Sequence, residues 1–200
     1  DEVPALCIGL YGPDEDFFTL KGIVEAILGR FAVEGEFVPS EEPYLHPGRQ
    51  AKVMIPGSDE PLAVFGEIHP LVAADYGMDV RAYTAEIRLR PLFDAMEQLR
   101  VIYQPLPKFP ASTRDLSVLV DADTPIAKLE KIIRGAASDL VEKVELFDVY
   151  QGSQIPDGKK SVSYSLVLRA PDRTLTDEDC ERTMAKILKA LEKINAILRQ

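Results

Sequence analysis

The chain has 200 residues, is 46% hydrophobic, and carries 33 acidic against 23 basic side chains for a net charge of −10. That apolar content can bury one large core or two modest ones, which excludes a disordered or fibrous chain, and the acidity speaks against an overall affinity for nucleic acid, whose phosphates require Lys and Arg. Cys7 and Cys180 lack C-x-x-C spacing, so neither a disulfide framework nor a zinc cluster is expected.

A reducing cytosol fits that cysteine usage, and a cytoplasmic protein is expected. No apolar run approaches the roughly 20 residues of a membrane helix, and DEVPALCIGL lacks the layout of a signal peptide. That start leads straight into a strand-like segment, so we expect a piece of a longer chain. The charge is uneven: residues 1–110 hold 9 basic and 18 acidic side chains, residues 111–200 hold 14 and 15. An anionic partner is therefore expected on the second half.

In chain order, ALCIGLY (residues 5–11) reads as a strand, and Phe17, Leu20, Val24, Ile27, Leu28 and Phe31 recur at helical spacing. AKVMI and LAVFGEI form a hairpin across Pro-Gly-Ser-Asp. A short helix from Leu71 stops at Gly77, YTAEIRL (83–89) returns as a strand, and PLFDAMEQL opens a helix at Pro91. Residues 1–105 are thus an α+β segment, a sheet with helices.

QPLPKFP, from Gln104 to Pro110, forbids helix and central strand alike, and residues 106–110 are assigned as a proline-rich linker. Beyond it, RDLSVLVD places Leu116, Val118 and Val120 on one face of a strand. Pro125 opens a helix carrying Ile126, Leu129, Ile132, Ile133 and Ala136. A strand around 143–150, a loop with a Pro-Asp-Gly turn, and a strand over 161–169 form a hairpin. Thr176 followed by Asp177, Glu178 and Asp179 signals a helix start, and residues 194–199 can close with a short strand. The order β-α-β-β-α-β over residues 111–200 is the ferredoxin-like arrangement, with helices on one face of an antiparallel sheet.

Alternation then sorts side chains between the two faces. With Leu116, Val118 and Val120 inward, Ser117 is outward; with Val162, Tyr164, Leu166 and Leu168 inward, Ser161 and Ser163 are outward; with Phe147 and Val149 inward, Asp148 and Tyr150 are outward. Arg169 falls on the same open face. Aromatics, hydroxyls and one acid suit an unstacked single-stranded base, read by stacking and by its Watson–Crick edge. Guanine presents two adjacent donors there, N1–H and the 2-amino group, and one carboxylate accepts both. Lys159, Lys160 and Arg169 would supply phosphate contacts. The plainer reading is a polar solvated face with Asp148 ion-paired to Lys160 or Arg169.

FPASTRDLSVLV, LFDVYQG, PDGKKSVSYSLVL and PDRTLTDEDCERTMAKILKALEK, with GLYGPDEDFFTLKGIVEAIL, YLHPGR and VFGEIHP upstream, resemble the C-terminal region of the bacterial phenylalanyl-tRNA synthetase β-subunit family. The resemblance spans nearly the whole chain. It implies the end of a class II synthetase-like core that has lost catalysis, then a ferredoxin-fold domain that binds the anticodon stem-loop of the phenylalanine tRNA, whose first anticodon base is guanine. It also implies an α2β2 heterotetramer, an active site in the α subunit, and ATP and Mg²⁺ used there, with no cofactor in this segment. Carried over by motif, the tRNA-binding residues are Asp148, Ser161, Ser117 and Arg199, joined from the open-face reading by Tyr150, Lys160 and Arg169. The family's N-terminal tRNA-binding, editing and metal-associated modules have no counterpart here.

Other chemistries fare worse. His46 and His69, with Glu67, could be drawn into a metal or acid–base site, yet both histidines precede proline in turn-like contexts and no third ligand lies near in sequence. No catalytic or metal-binding residue is assigned. An acylphosphatase-type hydrolase needs a glycine-rich phosphate cradle after the first ferredoxin strand, where VDADTP is acidic. A ferredoxin-like regulatory module that binds a small molecule at a dimer interface is the remaining alternative.

Overall fold

The computed structural model describes residues 3–97, 106–137 and 139–199, and these divide into two compact units, one within residues 1–103 and one within 104–200. The expected helix residues Gln98 and Leu99, and Gln104 and Pro105 of the proline-rich stretch, lie outside the described residues.

The first unit is built on a five-stranded antiparallel sheet. Its elements are β1 (Ala5–Tyr11), α1 (Phe17–Arg30), β2 (Glu36–Pro39), β3 (Leu45–Met54), β4 (Ala63–Ile68), α2 (Pro70–Asp75), β5 (Ala82–Arg88) and α3 (Leu89–Glu97), with strand order β1-β5-β4-β3-β2. Asp16 caps α1 by accepting from the Thr19 amide at 2.7 Å. The helix buries Leu20, Val24 and Leu28 against Phe65, Ala85 and Ile87 of the sheet. Gly77, at φ +65, ends α2 where the turn signal placed the stop. Strand β3 begins six residues before the expected AKVMI segment because a register irregularity between Leu45 and Gln50 lets residues 46–49 run along the sheet without regular pairing. Strand β2, short and at the edge, carries no alternation long enough to be read in advance.

The second unit has β6 (Ser112–Asp121), α4 (Ile126–Ala136), β7 (Val141–Tyr150), β8 (Lys159–Leu168), α5 (Asp177–Glu192) and β9 (Ile197–Leu198), in the sheet order β7-β8-β6-β9 with every neighbouring pair antiparallel. Both helices face the same side. Leu129 and Ile133 of α4 and Ile187 and Leu191 of α5 share one core with Leu116, Val118, Val120, Val162, Tyr164, Leu166 and Leu168. Full burial of residues 162, 164, 166 and 168 fixes the helix side of β8. Thr176 and Asp179 close a reciprocal capping box at the start of α5. The Asp179 carboxyl is held below its ordinary range, chiefly by its bond to the Thr176 amide, with the Arg173 guanidinium adding to the effect.

Strand β7 departs from simple alternation. Its register against β8 shifts twice, between Val141 and Lys143 and between Leu146 and Asp148, so Glu142 and Phe147 are extra residues without strand partners. This corrects the inward placement of Phe147. Leu146, opposite Tyr164, takes the helix-side position, and Phe147 is 59% exposed. Val149 does sit opposite helix-facing Val162, yet stays 43% exposed because β7 is an edge strand.

Candidate nucleic-acid interface

The open face of the second unit is assembled from all four strands. Asp148 lies opposite Ser163, Tyr150 opposite Ser161, and Ser163 opposite Ser117. Partners in register share a face, so the alternation of β8 places Asp148, Tyr150, Ser117, Ser161 and Ser163 together away from the helices. The second bulge is what brings Asp148 there: two residues after helix-facing Leu146, a regular strand would have turned it inward.

Arg199 joins the cluster from the edge. Its amide donates to the Ser117 carbonyl at 2.9 Å, continuing the β6–β9 pairing. Its side chain then crosses β6, where Nη1 donates to Ser161 Oγ at 3.1 Å and the guanidinium stands 5.8 Å from the centre of the Tyr150 ring, within cation–π reach. Ser161 is fully buried beneath these groups. Ser117 and Ser163 join hydroxyl to hydroxyl at 2.8 Å.

Asp148 is exposed and carries no hydrogen bond or ion pair among the described residues. The cations that a solvated-face reading would have given it are engaged elsewhere. Lys159 pairs with Asp121 at 2.6 Å. Lys160 lies opposite Val120, on the helix side, where partial burial pulls its ammonium below its usual range against the opposing pull of Asp123. Arg169 sits six residues along from Ser163, about 20 Å at 3.3 Å per residue. There it donates to Glu142 and to the Phe109 carbonyl on the wall of a groove of about 460 Å³. Of the residues singled out in the sequence, the structure therefore gathers Asp148, Tyr150, Ser117, Ser161 and Arg199, and sets Lys160 and Arg169 apart.

One contributor escaped the sequence reading. A Cβ on Gly152 would overlap the phenol of Tyr150, so the absence of a side chain there lets the ring lie back over its own strand end. Gly152→Ala is expected to push the phenol off this position, and loss of the ring-current shift that the Tyr150 ring imposes on the Arg199 side-chain protons would register it in an NMR spectrum, with the rest of the spectrum unchanged.

The two histidines have local structural roles. His46 Nδ1 accepts from the Gly48 amide at 3.0 Å, and His69 caps α2 by accepting from Leu71 at 3.2 Å. Glu67, 3% exposed, is gripped by the Arg49 guanidinium through two hydrogen bonds. Among the described residues no group of three His, Cys, Asp or Glu side chains is placed to hold a metal ion, and no helix is long and apolar enough to cross a membrane.

Comparison with known proteins agrees with this architecture. Residues 107–199 match the ferredoxin-fold anticodon binding domain, and residues 1–89 match the phenylalanyl tRNA synthetase beta chain CLM domain. Similar curated proteins include the phenylalanine–tRNA ligase beta subunits of Symbiobacterium thermophilum (45% identical over 92% of this chain and 20% of that protein), Clostridium tetani (42%, over 96% and 24%) and Listeria monocytogenes (38%, over 92% and 23%). The chain thus spans about a fifth to a quarter of the length of these relatives. With two matched domains in series and this likeness along most of its length, the chain belongs to the phenylalanyl-tRNA synthetase beta-chain family, and its second unit is a ferredoxin-fold anticodon-binding domain.

Proposed function

We propose that this chain is the tRNA-binding C-terminal segment of a phenylalanine–tRNA ligase β subunit, and that its second unit reads the anticodon stem-loop of the phenylalanine tRNA. The observation that carries the proposal is the exposed, unpaired carboxylate of Asp148 beside the Tyr150–Arg199 pair. A base stacked on this aromatic and guanidinium surface would turn its edge toward Asp148, and guanine alone offers that acid two adjacent donors. Asp148, Tyr150 and Arg199 face the RNA in this reading, with Ser117 and Ser161 beneath them. Lys160 and Arg169 stand aside from base reading. With few free cations around Asp148, affinity depends only weakly on salt compared with a protein that grips many phosphates.

The division of labour follows the two units. Residues 1–105 form the catalytic-like part that meets the α subunit of an α2β2 assembly, residues 106–110 connect, and residues 111–200 bind RNA. Phenylalanine is joined to tRNA in the α subunit, with ATP and Mg²⁺ bound there, so this chain alone catalyses nothing. We place the chain in the cytoplasm, where its two thiols stay reduced.

The test is a fluorescence-anisotropy titration of the 200-residue chain with labelled anticodon stem-loops that differ only in the first anticodon base. Guanine is expected to bind at least about tenfold tighter than adenine, the scale of one good bidentate contact, with a shallow dependence on salt. Equal affinities for the two would overturn the proposal.

A further inference from the structure

We infer that Ser161 meets no base itself but fixes the Arg199 guanidinium against the Tyr150 ring, so that the two form a preassembled stacking platform beside Asp148. The inference rests on the anticodon-binding reading above and assigns a role to a residue that is out of reach of any ligand in this structure. Ser161 is 0% exposed, sits on a central strand between Leu119 and Tyr150 in register, and its hydroxyl oxygen accepts from Arg199 Nη1. For a base to touch that oxygen, Arg199 would first have to leave.

Arg199 needs such a fixing point. Only its backbone is held by the sheet, through a two-residue strand and one further hydrogen bond to Ser117, and a free arginine side chain samples many rotamers. A single acceptor two strands away selects the rotamers that lay the side chain flat across β6. The chemistry of the acceptor matters too. A neutral hydroxyl orients the guanidinium without cancelling its charge, so the cation stays available to an anionic or electron-rich ligand, whereas a carboxylate at this position would tie it down as an ion pair. Of the three serine hydroxyls on this face, the one that accepts from Arg199 is Ser161, while Ser117 and Ser163 bond to each other.

A double-mutant cycle separates this role from direct contact. Stem-loop affinity is measured for the 200-residue chain carrying Ser161→Ala, Arg199→Ala, or both. Loss of one hydrogen bond to a charged group predicts about a tenfold weakening for Ser161→Ala. Arg199→Ala should weaken binding further, and the double variant should be no weaker than Arg199→Ala alone. Losses that multiply would show Ser161 acting on the RNA by itself and would overturn the inference. A second measurement needs no RNA: the Arg199 Nε–H resonance of the free protein should move toward the position of an unrestrained arginine in Ser161→Ala, with the unfolding midpoint unchanged, and an unmoved resonance would equally overturn it. A wild-type chain that binds no stem-loop would sink the anticodon reading and this inference together. Binding by the wild type with multiplying losses would sink this inference alone.

Discussion

Replacing Asp148 with alanine is expected to weaken binding of a guanine-first anticodon stem-loop by about 1–3 kcal/mol, the worth of one bidentate base contact, and to leave an adenine-first stem-loop nearly unaffected. The asymmetry follows from chemistry. Removing the acid takes away the only acceptor that guanine's paired donors would meet, while adenine never used it. Asp148→Asn keeps one acceptor oxygen and adds a competing donor, so it should fall between the two. Because Asp148 is exposed and makes no side-chain bond among the described residues, the fold should lose less than about 0.5 kcal/mol. Anisotropy titrations read the affinity and urea melts read the fold. An unchanged guanine-to-adenine ratio in the alanine variant would remove Asp148 from the recognition site.

The largest stability effect is expected in the first unit, at Arg49. Its guanidinium is the hydrogen-bonding partner of the Glu67 carboxylate, whose side chain is 4% exposed. Arg49→Ala leaves that acid buried and alone. A fully enclosed pair loses about 3–5 kcal/mol when one partner is removed, and since the Arg49 side chain is itself 40% exposed, about 2–3 kcal/mol is expected here. That lowers the melting midpoint of the first unit by about 10–20 °C, at roughly 4–8 °C per kcal/mol for a domain of this size. The pH dependence has a definite sign. In the wild type, burial works to raise the Glu67 carboxyl, but the Arg49 hydrogen bonds and charge outweigh it, helped by His46 and Arg81, and the group lies below its ordinary range. Its contribution is therefore complete above the unfolded value, near pH 4.3, and is lost as pH falls through the lowered folded value. In the variant burial acts with much less opposition, the folded carboxyl rises, and acid protonates it in place. The gap between wild type and variant should be widest near pH 7 and close toward pH 4. A constant gap across that range, followed by calorimetry, would show that the loss comes from arginine packing and not from the stranded carboxylate.

Much of the second unit was legible because its elements carry long, clean periodicities. Strands β6 and β8 carry an apolar residue at every second position from Leu116 to Val120 and from Val162 to Leu168, and the acids after Thr176 mark the start of α5. The face of Asp148 was also legible, though by way of a wrong partner: the sequence reading turned Phe147 inward, and the structure uses Leu146 with an extra residue after it. The signal was present. Two adjacent apolar residues, Leu146 and Phe147, and a spacing of three from Leu146 to Val149 break the period of two.

Lys160 and Arg169 were misplaced relative to the site for a different reason. Lys160 shares the parity of Val162, so alternation itself sets it on the helix side; for Arg169 alternation gives a side, but not a position along the strand or a competing partner, and Glu142 and the Phe109 carbonyl that claim it come from distant parts of the chain. The first unit was harder to read, since the irregularity in β3 and the four-residue β2 give no sustained pattern.

The surplus residue in β7 also sets how this domain tolerates changes in length. If Phe147 were deleted, Leu146 and Asp148 would become neighbours on an ordinary strand, and neighbours on a strand point to opposite sides, as these two already do across the bulge. The acid and the tyrosine beyond it would keep their orientation. A deletion two or three positions later has no such slack and would invert whatever follows it. The bulge thus works as an expansion joint, at which the polypeptide can shorten by one residue without reversing the open face of the sheet.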